Sequence, residues 1–207
     1  MRRAVLFDLD GTLIDSAALH ATAFSRAVGL WWGPCEVPVR TDLTTQQKMD
    51  LIGLPGVLRD DVQRTTRRMT LESIPKLVRP DERLNAELWD LRKDSLLGVV
   101  TNARREPAEA MLKAMDLWEI WDLLVTSEDG KHKPAPDLYR LARNWARQLD
   151  ADQIVALEDS DAGIWASTGA GIPCIKVFGP QDITAKRIRR ALDDGEGTII
   201  SRGYQYG

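Results

Sequence analysis

The sequence lacks the features that mark membrane-spanning and nucleic-acid-binding chains. No apolar stretch approaches the roughly 20 residues that a helix needs to cross a bilayer. Basic residues do not outnumber acidic ones, since 28 lysines and arginines stand against 31 aspartates and glutamates, and the formal net charge is −3. The sequence contains no internal repeat and no low-complexity segment. We therefore expect neither a membrane nor a nucleic acid as partner.

Cysteine is scarce as well. The two cysteines, Cys35 and Cys174, could pair in principle. Two arginines near the amino terminus precede a short apolar run, but the run meets Asp8, which does not fit a secretory signal peptide. We therefore predict a cytoplasmic protein with reduced thiols. Cys174 lies in the apolar run IPCIKVF and is predicted to be a small core residue.

The composition is that of a globular protein, and its second half alternates between two periodicities. Of the 207 residues, 43% are apolar and 29% are charged, and the length allows one large domain or a domain with an insertion. From Leu96 onward, strand-like runs at 96–100, 123–126, 154–157 and 173–178 alternate with helical patterns at 105–115, 136–149, 160–169 and 183–193. Pro107 and Pro136 are expected in the first turns of their helices. The alternation predicts an α/β fold with a parallel sheet.

Residues 16–79 have a different character. Apolar residues recur there at helical spacing without an obvious strand-like run, which predicts four or five helices, among them 17–29, 44–52 and 58–74. We interpret this region as an inserted α-helical cap domain. The α/β core domain would then consist of residues 1–15 and 80–207, with a last short strand at 198–201.

Two other groups of residues have structural explanations. The sequence has seven tryptophans, which we interpret as helix residues and which include Trp118, Trp121, Trp145 and Trp165. Packing explains them better than stacking on a ligand. A basic cluster lies near the carboxyl end: Lys186, Arg187, Arg189 and Arg190. In a chain without net positive charge, it predicts a solvated helix face.

A segment of twelve residues near the amino terminus carries the strongest chemical signal. The segment VLFDLDGTLIDS, from Val5 to Ser16, is a strand-like run that stops at two aspartates. Because side chains alternate along a strand, Asp8 and Asp10 project the same way at its carboxyl end, where open parallel sheets bind ligands. Two adjacent carboxylates repel each other unless a cation or a shared proton intervenes, and Mg²⁺ with a substrate phosphate fits that need. The alternative is an acidic loop after a buried strand.

Three further polar motifs follow later strand-like runs. Thr101 and Asn102 end the run LLGVV, although either residue could also be an N-cap. Lys133 opens KPAPD, where a compact cation suits phosphate, although a solvated lysine before a helix is the alternative and Lys131 and His132 are nearby rivals. Glu158 and Asp159 end the apolar run of IVALEDSDAGIWASTGA, where they could instead cap a helix and complement its dipole.

The four motifs, in this order and over nearly the whole chain, resemble the haloacid-dehalogenase-like (HAD) superfamily. Members of this superfamily mostly move phosphoryl groups through an aspartyl-phosphate. The resemblance implies a Rossmann-like parallel-sheet core and a Mg²⁺ cofactor. It implies that the cation is held by carboxylates: Asp8, Asp10, Glu158 and Asp159.

The resemblance also implies a role for each motif residue. Asp8 would attack phosphorus in line, while Asp10 would protonate the departing oxygen and then activate the water that hydrolyses the intermediate. Lys133 would neutralise the nucleophile and the phosphoryl group. Thr101 would hydrogen-bond the phosphoryl group, with the Asn102 backbone as a further donor, and Thr12 would orient Asp8 or Asp10.

The place of the helical insertion, between the first and second motifs, resembles the cap of the β-phosphoglucomutase and phosphoglycolate-phosphatase branch. Such a cap excludes bulk water and selects the leaving group, opening about linkers that we place near Asp15 and Pro80. His20 stands where the mutases carry a histidine that couples cap closure to proton transfer, and it is otherwise a polar face residue. The segment VRTDLTTQQK shows no clear counterpart of the branch's glycine-plus-basic substrate loop, so no particular sugar phosphate is predicted.

Three functions remain compatible with the sequence. The favoured one is a Mg²⁺-dependent phosphatase acting on a small phosphorylated metabolite, as a monomer or weak dimer. A phosphomutase would use the same core but protect the aspartyl-phosphate from water until a second hydroxyl captures it, and His20 is its specific support. A non-catalytic binding module with the same fold would predict a broken motif, whereas every acid and the lysine are in place.

Overall fold

The computed structural model describes residues 2–33 and 45–194. Several features singled out in the sequence lie outside these residues. They are Cys35, most of the segment VRTDLTTQQK and the predicted strand at 198–201.

A parallel sheet forms the centre of the described α/β unit. Its strands are β1 (Arg2–Phe7), β2 (Ser95–Val100), β3 (Leu123–Val125), β4 (Ala151–Glu158) and β5 (Cys174–Lys176). They pair in the order β3-β2-β1-β4-β5, and every pairing is parallel. The predicted fold class is therefore confirmed. Because β1 is the central strand, the residues that follow it lie between the ends of β2 and β4.

The described residues form eight α-helices. They are α1 (Ala17–Trp31), α2 (Thr45–Leu51), α3 (Gly56–Leu77), α4 (Glu82–Leu91), α5 (Arg105–Ala114), α6 (Asp137–Gln148), α7 (Asp161–Gly169) and α8 (Ala185–Asp194). The four helices predicted after Leu96 occur within two residues of their expected bounds. Pro107 lies in the first turn of α5, as expected, whereas Pro136 is the N-cap of α6 and precedes its first turn.

The three helices named in the prediction for 16–79 occur as α1, α2 and α3, and α3 runs three residues past its predicted end to Leu77, with Pro75 in its last turn. Residues 34–44 lie outside the described residues, so the total of four or five helices stays a prediction. The sequence interpretation missed α4. Asp81 caps that helix by accepting a hydrogen bond from the backbone N–H of Leu84 at 3.0 Å, and Leu84, Leu88 and Leu91 form its buried face.

The chain forms two compact units, residues 1–15 with 80–207 and residues 16–79. In the first unit, both faces of the sheet are covered, and every residue of β2 is buried. The second unit has its own apolar cluster, in which Phe24 and Val28 of α1 pack with Val62 of α3 and Met49 of α2. Each unit therefore buries a core of its own.

The burial of individual residues tests the predictions made for Cys174 and for the tryptophans. Cys174 is buried, and burial raises the pKa of its thiol to about 12, so it is a core residue and not a reagent. Trp145 packs against an apolar cluster, but Trp165 is 61% exposed, so core packing does not explain it. Within 2–33 and 45–194, no helix is both long and apolar enough to span a bilayer.

Candidate active site

Polar residues from the four motifs lie at the carboxyl edge of the sheet. Asp8 follows the last residue of β1, and its backbone N–H donates to the carbonyl of Leu157 in β4 at 3.0 Å. A tight turn follows, in which the Gly11 N–H donates to the carbonyl of Ile14 at 2.8 Å. Asp8 is thereby anchored to the neighbouring strand, while the turn lets the chain leave the sheet.

Lys133 reaches into this edge from the loop between β3 and α6. Its ammonium group lies 2.6 Å from each of three acceptors: Asp8 Oδ1, Glu158 Oε1 and the carbonyl oxygen of Val100. A lysine ammonium has three hydrogens to donate, and all three are used here. The alternative of a solvated lysine is therefore wrong, because Lys133 is buried in an ion cluster with two carboxylates.

Burial and charge act on the ionisation of this cluster in opposite directions. Burial raises the pKa of Asp8 well above its ordinary value, although Lys133 opposes the shift. Burial likewise raises the pKa of Glu158 against the effect of Lys133. Burial alone would lower the pKa of Lys133, but Asp8 and Glu158 outweigh it and hold that pKa above its ordinary value. The lysine therefore stays charged, while the carboxylates bind protons readily when no further cation is near.

Tyr139 belongs to the cluster, and the sequence interpretation missed it. Its hydroxyl donates to Glu158 Oε1 at 2.5 Å, and its ring centroid lies 5.2 Å from Lys133 Nζ. The side chain is fully buried, and burial, followed by the nearby Glu158 carboxylate, raises its pKa well above the ordinary value. Tyr139 follows KPAPD by two residues, on the first turn of α6. That spacing was the available signal.

The side chain of Asn102 binds the loop of Lys133, and the predicted donation from its backbone to the phosphoryl group stays a prediction. Its side-chain amide donates to the carbonyl of Lys133 at 3.2 Å and accepts from the Lys133 backbone N–H at 2.8 Å. The two bonds bracket the peptide of Lys133 and tie its loop to the end of β2. Asn102 is not a helix cap, because the N-cap of α5 is Arg104.

The two threonines of the site differ in their partners. Thr101 is buried, and its hydroxyl oxygen accepts from the Ala103 N–H at 2.9 Å. Among the described residues this hydroxyl donates to no acceptor, so its hydrogen is available to a ligand. Thr12 donates to Asp159 Oδ1 at 3.4 Å, whereas the sequence predicted Asp8 or Asp10 as its partner. The correction follows from the sheet order, because β4 delivers Asp159 beside the turn that carries Thr12.

Two glycines make room for the acidic pair at the end of β4. A Cβ atom at Gly11, whose φ is +87°, would overlap the carboxylate of Asp159. A Cβ atom at Gly163, on the first turn of α7, would overlap the carboxylate of Glu158. Both glycines are in the quoted motifs, but the contacts that require them depend on tertiary structure.

Glu158 and Asp159 are not helix caps. The cap of α7 is Ser160, whose hydroxyl oxygen accepts from the Gly163 N–H at 3.1 Å. One carboxylate oxygen from each of Asp8, Glu158 and Asp159 can be chosen so that the three lie within 4.8 Å of one another. Burial is the main cause that raises the pKa of Asp159, and the nearby Asp10 adds to the increase.

This group fits a divalent cation by its chemistry. Glu158 Oε2 is buried and makes no hydrogen bond in the described structure, which leaves an oxygen ligand open. Mg²⁺ prefers such hard oxygen ligands. Asp10 is not part of the group of three, so its predicted binding to the cation stays a prediction.

The remaining predicted residues lie as follows. Asp10 is half-buried in the turn after β1, where it forms an isolated bridge with Ile14. His20 lies on the first turns of α1 in the helical unit, half-buried, and its backbone N–H donates to the Ser16 carbonyl. Its predicted role toward the substrate stays a prediction.

Known proteins share this arrangement of sequence and fold. The family model of the haloacid dehalogenase-like hydrolases matches residues 5–177. Protein CbbY of Cereibacter sphaeroides is 32% identical over an alignment of 201 residues, with 84% of this chain and 84% of that protein covered. The validoxylamine A 7'-phosphate phosphatase of Streptomyces hygroscopicus subsp. limoneus is 29% identical over 194 residues, with 89% and 90% covered. A crystal structure of a CbbY variant from Rhodobacter sphaeroides, in complex with xylulose-(1,5)bisphosphate, superposes with a TM-score of 0.69 at 28% identity, with 86% and 87% covered.

The matched region includes all four motifs, from the strand before Asp8 to the strand after Asp159. It spans most of the chain and both compact units. The resemblance inferred from the motifs is therefore confirmed, and the chain belongs to the haloacid dehalogenase-like hydrolase family.

Proposed function

We propose that this protein is a Mg²⁺-dependent phosphatase that hydrolyses a small phosphorylated metabolite through an aspartyl-phosphate on Asp8. The observation that carries the proposal is the buried cluster in which Lys133 lies 2.6 Å from both Asp8 and Glu158, with an oxygen of Asp159 close by. A buried nucleophilic carboxylate, a fixed cation and a carboxylate group open to a metal are the parts that phosphoryl transfer requires.

The chain is an enzyme of the phosphoric monoester hydrolase class. It belongs to a hydrolase family, and relatives that align over most of its length are phosphatases. A non-catalytic module is disfavoured for the same reason. Beyond that class, we propose the metal, the intermediate and the kind of substrate.

The chain's own residues divide the work in this proposal. Asp8 attacks phosphorus in line with the leaving oxygen, and Asp10 gives that oxygen a proton. Asp10, now ionised, then takes a proton from the water that cleaves the aspartyl-phosphate, which releases phosphate and restores Asp8. The free hydroxyl hydrogen of Thr101 donates to a phosphoryl oxygen.

Asp8, Glu158 and Asp159 are the residues that would hold the cation. When bound there, Mg²⁺ favours the ionised form of Asp8 and offsets the negative charge of the phosphoryl oxygens. Lys133 keeps Asp8 and Glu158 together, because its three hydrogens already serve Asp8, Glu158 and the Val100 carbonyl. To donate to the phosphoryl group, it must give up one of these bonds.

The helical unit, 16–79, is proposed to act as the cap that excludes water and selects the leaving group. We propose a small phosphorylated molecule as its substrate, with His20 on the substrate side of the cap. We also propose a cytoplasmic protein that works as a monomer or weak dimer.

Phosphate release from a panel of phosphorylated sugars, sugar bisphosphates, nucleotides and small acids tests the proposal. Sugar phosphates come first, since the CbbY variant was solved in complex with a sugar bisphosphate. We expect release with Mg²⁺, none with a chelator, and a loss on the order of 10³-fold or more in Asp8→Asn, which removes the charged nucleophile at nearly constant shape.

The control is Asp152→Asn, an exposed aspartate on β4, which should keep wild-type activity. Activity that survives Asp8→Asn would contradict the aspartyl-phosphate mechanism. Interconversion of sugar phosphates with a bisphosphate primer, without phosphate release, would favour the phosphomutase instead.

A further inference from the structure

The two oxygens of the Glu158 carboxylate differ in their hydrogen bonds. Oε1 accepts two hydrogen bonds, from Tyr139 at 2.5 Å and from Lys133 at 2.6 Å. Oε2 is buried and accepts none in the described structure. A buried carboxylate oxygen without a partner is costly, so this oxygen needs a ligand that the protein itself does not supply.

Gly163 lies on the side of Oε2, because a Cβ atom added at that glycine would come nearest to this oxygen. The backbone of Gly163 at the start of α7 lies so close that a single added carbon would overlap the Glu158 carboxyl group. Glu158 is therefore confined between a glycine on one side and two donors on the other. The carboxylate cannot rotate and exchange the positions of its two oxygens without losing one of these contacts.

The two donors are not equivalent. Lys133 is a point charge whose other two hydrogens serve Asp8 and the Val100 carbonyl, so it does not by itself define the orientation of Glu158. Tyr139 is a rigid ring fully buried between α6 and the sheet, with Leu138 and Ala142 in the same apolar cluster. Its hydroxyl has one hydrogen, and that hydrogen points at Oε1.

We propose that Tyr139 is a positioning residue for the divalent cation. Its hydroxyl occupies Oε1 of Glu158 and so presents Oε2 as the oxygen that binds the cation or a water on the cation. Tyr139 touches neither the substrate nor the reacting atoms, and it acts only through Glu158. This inference rests on the proposed function, because it assumes that the carboxylate group of the site takes up Mg²⁺.

The variant Tyr139→Phe tests the inference, since it removes only the hydroxyl and keeps the buried ring beside Lys133. Calorimetric titration of the substrate-free protein with Mg²⁺ measures binding without any turnover. We expect the dissociation constant to rise by roughly 10- to 100-fold, the usual effect of losing a residue that orients a metal ligand. In assays, the Mg²⁺ concentration for half-maximal rate should rise in parallel, while KM for the substrate at saturating Mg²⁺ stays unchanged.

The matched control is Thr66→Val in α3. Thr66 is also buried, and its hydroxyl also makes a hydrogen bond, to the Val62 carbonyl at 2.7 Å, but it lies in the helical unit. A Mg²⁺ affinity of Tyr139→Phe equal to that of Thr66→Val would overturn the inference. Thermal unfolding with and without Mg²⁺ gives a second reading, because the stabilisation by Mg²⁺ should shrink in Tyr139→Phe and not in Thr66→Val.

The proposed function fails in a different way. If the wild-type protein itself bound no Mg²⁺ and released no phosphate, the metal-dependent phosphatase would be wrong, whatever Tyr139 does. If the wild type binds Mg²⁺ and only the effect of Tyr139→Phe is missing, the phosphatase stands and the role of Tyr139 falls.

Discussion

At the scale of single residues, the site requires two positions without a side chain. Gly11 and Gly163 leave the space that the carboxylates of Asp159 and Glu158 fill. At Gly11 the backbone φ of +87° is a second reason for glycine, since other residues rarely adopt it. At Gly163 the backbone is helical, so the contact with Glu158 is the reason that remains.

The first prediction is that Gly163→Ala destabilises the protein and weakens Mg²⁺ binding. In a helix, alanine is intrinsically better than glycine by up to about 1 kcal/mol, so a stabilising change would be expected if only the helix mattered. The overlap with Glu158 should reverse the sign and cost on the order of 1–3 kcal/mol. Chemical denaturation of the metal-free protein measures the free energy of unfolding.

Gly169→Ala in the same helix is the control. There the new Cβ would lie 3.5 Å from Pro136 Cβ, an ordinary van der Waals contact. Equal stability of the two variants would show that Glu158 can move away from Gly163 at no cost.

At the scale of elements, α4 and α8 are joined by polar contacts that the sequence interpretation did not anticipate. Arg189 of α8 donates to the carboxylates of Asp90 and Asp94, at 2.5 and 2.9 Å, and to the Asp90 carbonyl. The basic cluster near the carboxyl end is therefore more than a solvated face. Glu87 of α4 accepts from the Ala185 N–H at 2.7 Å and so satisfies a free donor at the start of α8.

The second prediction concerns this contact. Glu87→Ala should lower the free energy of unfolding by about 1 kcal/mol, the usual value of a lost helix cap, and leave kcat and KM unchanged. The exposed Glu119 provides the control, because Glu119→Ala removes a glutamate of the same charge from the surface. A change in kcat with unchanged stability would contradict a purely structural role of Glu87.

At the scale of the whole molecule, the buried carboxylates couple folding to pH and to metal. Burial raises the pKa values of Asp8, Glu158 and Asp159 in the metal-free fold. The folded state then binds protons more tightly than the unfolded state, so these groups stabilise the fold at low pH. That stability is lost as the pH rises from the ordinary carboxyl pKa through the raised values.

The third prediction follows from this sign. With a chelator present, the melting temperature should fall as the pH rises above the ordinary carboxyl pKa values of 3.8 and 4.5, because the three carboxylates must ionise while buried. Mg²⁺ replaces their protons, so its stabilising effect should increase over the same range. The raised pKa of Lys133 affects stability only near and above pH 10.5, the ordinary pKa of a lysine, so it does not reverse the fall in melting temperature.

Differential scanning calorimetry at several pH values, with Mg²⁺ or with chelator, measures both trends. Glu158→Gln serves as comparison, since it removes one of the three titrating groups and should flatten both. A Mg²⁺ effect independent of pH would contradict the coupling.

Much of the architecture could be predicted from the sequence, because the information is local. The alternation of apolar runs and helical spacing after Leu96 depends on neighbours a few residues apart, and it predicted the parallel sheet and helices α5 to α8. The order of the four motifs likewise indicated the family and the candidate residues. Helix α4 escaped because its buried leucines and its Asp81 cap precede the region where strands and helices alternate clearly.

What only the tertiary structure decided is which partners these residues meet. Nothing near Thr12 in sequence indicates that it bonds Asp159, and nothing near Tyr139 indicates Glu158, since the partners lie 147 and 19 residues away. The sheet order places β1 between β2 and β4, so side chains that are distant along the chain meet at one edge. Periodicity and turn chemistry set where each strand ends, whereas the packing of strands against one another sets which atoms share the buried site.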